Sequence, residues 1–161
     1  IIGSASAVSP TLPTGWDKYR RIGYWMTDAS SNMDVGIHQG IRFIFATTLQ
    51  DVNDTSVASG VYETGTISVP PNSTALVYPN TNVTAGTDAT LGIKLRHTSF
   101  TSGGGVITVN NDSAAVDELN LLCEVDVDGS SQILYSIQSD ATTISLSINT
   151  FGALDHGRDN P

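Results

Sequence analysis

The run LNLLCEVDVDGSSQILYSIQSDATTISLSIN, Leu119 to Asn149, alternates apolar and polar residues through three successive segments. Leu119, Leu121, Cys123, Val125 and Val127 share one parity, facing Asn120, Glu124, Asp126 and Asp128 on the other, and Leu122 alone breaks the pattern. A two-residue period places successive side chains on opposite faces, so such a segment reads as a strand with one dry and one wet face. Asp128-Gly129 is a strong hairpin dipeptide, Ile133, Tyr135 and Ile137 resume the alternation, and Ser139-Asp140 turns the chain again. Ile144, Leu146 and Ile148 then alternate with Ser145, Ser147 and Asn149. The reading is a three-stranded meander with Leu146 in the core.

Upstream, the same logic holds in shorter pieces. Leu91, Ile93 and Leu95 alternate with Gly92, Lys94 and Arg96, as in a half-buried strand, and Val106 to Val109 forms another after the glycines at Ser102 to Gly105. Thr66 to Val69 and Thr74 to Tyr78 are strand-like runs parted by Pro70-Pro71-Asn72, where two prolines remove two backbone donors. Asp34 to Phe45 is either two short strands or one bent at Gly40. Thr47 to Thr64 and Asn80 to Asp88 are polar and turn-rich, and read as loops. Many short strands without a helical period predict an all-β chain: an antiparallel β-sandwich, jelly-roll-like. Residues 1–12 are expected to be an edge strand or connecting arm, and residues 13–161 a single sandwich domain.

Composition sets limits on partners. With 16 acidic and 7 basic residues the net charge is -9, which repels nucleic acid and phosphate-rich membrane surfaces. No apolar run approaches the roughly 20 residues that a spanning helix needs, so membrane insertion is not expected. Cys123 is the only cysteine, so no disulfide can form within the chain, and its apolar setting predicts a buried, inert thiol.

Chemical constellations are sparse. Glu124, Asp126 and Asp128 project from one face at two-residue spacing and could converge on a hard cation, but no calcium-loop pattern accompanies them, and the plainer reading is the wet face of a hairpin. His38, His97 and His156 are widely separated and form no ligand motif. Gly103-Gly104-Gly105 lacks the lysine and helix of a phosphate loop, and no Gly-x-Ser-x-Gly elbow occurs. No metal, cofactor or catalytic residue is assigned.

The most individual stretch is LPTGWDKYRRIGYWMTDASSN, Leu12 to Asn32, which holds both tryptophans and three of the seven basic residues. It reads as turn, strand, turn. It resembles the core of a module in tailed-phage tail fibres and related virion proteins, which typically runs Leu-Pro-x-Gly-Tyr, Arg-Arg-Ile-Gly, then Thr-Asp-x-Ser-x-Asn. ISVPPNSTALVY, Ile67 to Tyr78, and INTFGALDHGRDNP, Ile148 to Pro161, resemble the same module in the same order. Trp16 stands where a tyrosine is usual, and Ala153 to Arg158 replaces a Tyr-Ile-Asp followed by a basic, glycine-containing end.

The resemblance implies a phage virion structural protein, in a tail fibre or tail-attached adhesion module, that is not an enzyme and contacts host surface glycans. Alternatives are a tail-associated polysaccharide-degrading enzyme and a capsid decoration protein. It further implies a homotrimer located in the virion, associated with other virion proteins and with host surface polysaccharide. Further strands usually precede this module, and a chain opening Ile1-Ile2-Gly3 without methionine is expected to be part of a longer protein. Trp16, Tyr19, Arg20, Arg21, Tyr24 and Trp25 are the candidates for assembly or glycan contact, since aromatic rings stack on sugars and a basic pair in an acidic chain can bridge to a neighbour's carboxylates.

Overall fold

A chain rich in Val, Ile and Thr favours strands, and a computed structural model shows ten among its described residues, arranged in two antiparallel sheets. It describes residues 12–15, 35–84, 90–101, 105–110, 117–120, 122–139 and 143–154. Among them there is no helix, hence none long and apolar enough to cross a membrane.

The larger sheet joins β1 (Gly36–Gln39), β2 (Arg42–Asp54), β10 (Thr143–Leu154) and β4 (Thr74–Thr84) in that spatial order. Two short strands, β7 (Asp117–Asn120) and β8 (Cys123–Asp126), both pair with β4 and complete its six strands. The smaller sheet runs β3 (Glu63–Thr66), β9 (Gln132–Gln138), β5 (Thr90–His97), β6 (Gly105–Asn110). With β7 and β8 taken as one interrupted strand, the orders 2-10-4-7/8 and 3-9-5-6 are those of a jelly roll. The chain is therefore an all-β antiparallel sandwich.

One core lies between the sheets. Phe43, Phe45, Val77, Ile144, Leu146 and Ile148 come from the larger, and Ile93, Leu95, Ile133, Tyr135 and Ile137 from the smaller. Leu146 is 1% exposed, so the parity expected of the last strand holds.

The meander does not form. The three segments that alternate most cleanly do not pair with one another: β8 and β10 are both in the larger sheet, on either side of β4, and β9 is in the smaller, between β3 and β5. Asp128-Gly129 is thus a corner that carries the chain from one sheet to the other. The Asp128 carboxylate holds that corner by accepting from the Ser130 and Gln132 amides, both at 2.8 Å, and from Thr98 Oγ1 at 2.7 Å.

The long strand expected from Leu119 to Val127 is divided into β7 and β8, with Leu122 exposed between them. Val77 faces Cys123 and Asn80 faces Asn120, one continuous register, and between those paired segments β4 carries Pro79, which has no N–H for a ladder. Pro79 is fully buried and opposite Ile148 on β10.

Two segments expected to be loops are largely strand. β2 continues through Thr47 to Asp54, pairing Leu49, Gln50, Val52, Asn53 and Asp54 with β10, and its polar composition reflects a wet outer face. β4 likewise extends to Thr84. Conversely, Ile67 and Val69 are buried but lie beyond the end of β3 at Thr66, so only the first residue of the expected Thr66–Val69 strand is in the ladder. Asp34 to Phe45 resolves into two strands, with Gln39 paired to Arg42 across a two-residue loop and Gly40 at φ 63°. Residues 1–11 of the expected arm are outside the described residues.

Candidate functional site

On β5, burying Ile93 and Leu95 forces Lys94 and Arg96 onto the opposite face, the outer surface of the smaller sheet. Register then sets their neighbours. Arg96 stands across from Leu134 and Lys94 from Ser136 on β9, while Leu134 is in turn across from Thr64 on β3. The Arg96 guanidinium carbon lies 3.6 Å from the centre of the Tyr62 ring, a cation–π stack. Arg96 Nε is buried and has no hydrogen-bond partner among the described residues.

Tyr62 is held in place by the segment that leads into β3. Val57 N donates to Ile144 O at 3.2 Å, and Gly60, at φ 77°, donates to Ile137 O at 2.7 Å. Ser59 Oγ donates to Ser139 O at 2.6 Å and accepts from the Ser139 amide at 3.1 Å. These bonds staple residues 57–60 to β9 and β10 and deliver the tyrosine to the outer face of the sheet. Among the described residues, the strands β3, β5, β6 and β9 place no acidic side chain on that face: Glu63, next in sequence, points the other way and contacts Tyr135, while Asp128, at the corner before β9, is bonded to Thr98 and to the Gln132 amide.

A second polar group sits at the rim of the core. Tyr135 Oη lies 3.2 Å from Glu63 Oε2 and 3.3 Å from Asp54 Oδ2. One phenolic proton serves two carboxylates, and burial together with the negative charge of Glu63 and Asp54 pushes the Tyr135 hydroxyl well above the ordinary tyrosine range. The arrangement ties β2, β3 and β9 together through a neutral phenol. Asp51 does similar work, accepting from Ser68 N at 2.9 Å, from Ser68 Oγ at 2.5 Å and from Thr150 Oγ1, which joins β2 to β10 and to the turn before β4.

The three acids read as a wet face separate. Glu124 and Asp126 are exposed on β8, with Asp126 accepting from Thr74 Oγ1, whereas Asp128 is committed to its corner. Its hydrogen bonds to Thr98 and Gln132 lower the carboxyl below its ordinary 3.8, with a smaller contribution from nearby His97. Among the described residues, no group of three or more His, Cys, Asp and Glu side chains could hold a metal ion. His97 Nδ1 accepts from the Ser99 amide at 3.1 Å, and His38 packs its ring against Phe43. Cys123 is half-buried, and burial pushes its thiol up to about 11.

Trp16, Tyr19, Arg20, Arg21, Tyr24 and Trp25 lie outside the described residues, as does His156. Lys94 and Arg96 were legible as a wet strand face. Tyr62 was not singled out, because it sits in a polar run whose approach to β5 has no local signature. No protein-family model matches the chain, and no curated protein matches it.

Proposed function

We propose that the chain is a non-catalytic structural module of a tailed-phage virion, part of a tail fibre or tail-attached adhesion apparatus, located at the virion surface and assembled as a homotrimer with other virion proteins. The observation that carries this reading is where two of the three module-like stretches fall. ISVPPNSTALVY contributes the start of β4 and the terminal stretch the end of β10, and these are hydrogen-bonded neighbours inside the larger sheet: Ile148 faces Pro79, Thr150 faces Val77, and Ala153 faces Ala75. Residues that resemble one module thus build one structural unit, and most of those described are spent on packing: Ile67, Val69, Ala75, Val77, Ile148 and Ala153 are all core. A jelly roll also has open sheet edges, which a symmetry mate can cover.

Immunogold electron microscopy of intact virions tests the location. Label on the tail or its fibres is expected, and label distributed over the capsid would replace this reading with that of a decoration protein. Incubation with host polysaccharide should release no reducing ends; their release would make the chain an enzyme. Light scattering of the purified chain is expected to give a multiple of 16.9 kDa, and a mass that stays at that value across concentrations would remove the trimer.

A further inference from the structure

We propose that the outer face of the smaller sheet is a binding site for a carboxylate-bearing saccharide, with Arg96 and Lys94 contacting the carboxylate and Tyr62 positioning the arginine. This deepens the adhesion reading and rests on it.

Three features converge on that face. First, charge: the chain carries -9 overall, yet Lys94 and Arg96, two of its seven basic residues, lie two apart on one strand. Neither makes an ion pair within 4.0 Å among the described residues, and β3, β5, β6 and β9 place no described acid on this face, the Asp128 carboxylate at its end being committed to Thr98 and the Gln132 amide. Second, preorganisation: Arg96 is stacked on Tyr62 at 3.6 Å with its Nε covered, so its rotamer is set before any ligand arrives and its remaining N–H groups form a fixed fork. Third, surroundings: Thr64, Thr66 and Gln138 are exposed on the same face and Gln132 is half-buried, which supplies neutral donors and acceptors of the kind that sugar hydroxyls meet.

The same features select among anionic ligands. Residues two apart on a strand are separated by about 6.5 Å, so one sugar unit can place its carboxylate on one cation and ring hydroxyls near the other. A docked protein would require an apolar centre, and on this face β3, β5 and β9 offer one apolar strand residue, the half-buried Leu134, amid Thr64, Thr66, Gln132, Ser136 and Gln138. A polyphosphate, nucleic acid or lipid headgroup surface, would meet the repulsion of the whole chain at many points, whereas a saccharide with one carboxylate per unit meets chiefly this face.

The test is calorimetric titration of the full chain at low salt with a glucuronate-containing oligosaccharide, a sialylated oligosaccharide, a neutral oligosaccharide of equal length and an oligoglutamate peptide. At least one acidic sugar is expected to bind, and which one identifies the carboxylate source, while the neutral sugar does not. Lys94→Gln and Arg96→Gln should each weaken binding by roughly tenfold, the scale of one lost charged contact. Tyr62→Ala should weaken it comparably and Tyr62→Phe should restore it, since the stack needs the ring and not the hydroxyl. Thermal unfolding of every variant checks the fold, and Lys94→Gln, which leaves the stack untouched, decides the matter if Tyr62→Ala does not fold. Failure of both acidic sugars to bind, equal binding of oligoglutamate, or undiminished binding by folded Lys94→Gln and Arg96→Gln overturns the site. A chain that labels the phage tail but binds neither sugar loses this site and keeps its structural role. A chain absent from the tail loses the reading on which the site rests.

Discussion

Replacing Leu146 with alanine tests the inside and outside of the sandwich at its centre. Leu146 lies in the first half of β10 with β2 on one side, at Asp54, and β4 on the other, at Thr81, and is 1% exposed. The substitution removes three carbons, about 2.4 kcal/mol of transfer free energy at about 0.8 per methylene. Two ladders fix the backbone on either side, so the site cannot collapse onto the void, and the cavity raises the total to roughly 3–4 kcal/mol. For a chain of this size each kcal/mol lowers the melting temperature by about 2–4 °C, so a drop of about 6–16 °C is expected by calorimetry or circular dichroism. Ser147→Ala, one residue on and of the opposite parity, is the control and should cost about 0.5 kcal/mol or less. Equal shifts for the two variants would refute the assignment of faces.

Other perturbations probe separate parts of the fold. At Gly152 a Cβ would come within 2.4 Å of Phe43 O and 3.2 Å of Ile44 Cα, backbone atoms of β2, so Gly152→Ala should cost about 1–3 kcal/mol in chemical denaturation; an unchanged midpoint would mean that the two strands are not so close. Asp128 has a folded-state carboxyl below its ordinary 3.8, so its contribution is fully present above that value and is lost as pH falls through the lower folded-state value. The melting temperature of Asp128→Asn, relative to the parent, should therefore be lowest near neutrality, and the gap should narrow below about pH 4; a gap independent of pH would show that charge at the corner is immaterial. Cys123, with its thiol raised to about 11, should alkylate with iodoacetamide at pH 8 far more slowly in the native chain than in urea, and equal rates would contradict its burial.

Much of this architecture was legible residue by residue. Ile144, Leu146 and Ile148 announce their face because alternation is a local property, and the same holds for Ile93 and Leu95 against Lys94 and Arg96. Polar strands were harder. Thr47 to Asp54 carries little apolar signal, and only its pairing with the buried β10 makes it a strand. Tyr62 was invisible as a site residue for the same reason: what brings it to Arg96 is a set of backbone bonds from residues 57–60 to β9 and β10.

By itself, the amino-acid sequence determined that this chain is all-β, which parity of several strands is dry, and that it reverses at Asp128-Gly129, since each depends on residues within a few positions of one another. Tertiary structure alone decided which strand lies beside which. Asp128-Gly129 specifies a reversal, but a reversal can return a strand to its predecessor or carry it to a facing sheet, and the choice rests on which apolar faces can be buried together. The division between β7 and β8 makes a related point: Leu122 breaks the alternation locally, but that the facing stretch of β4 carries Pro79, a residue with no N–H to donate, is set by pairing with a strand about forty residues earlier.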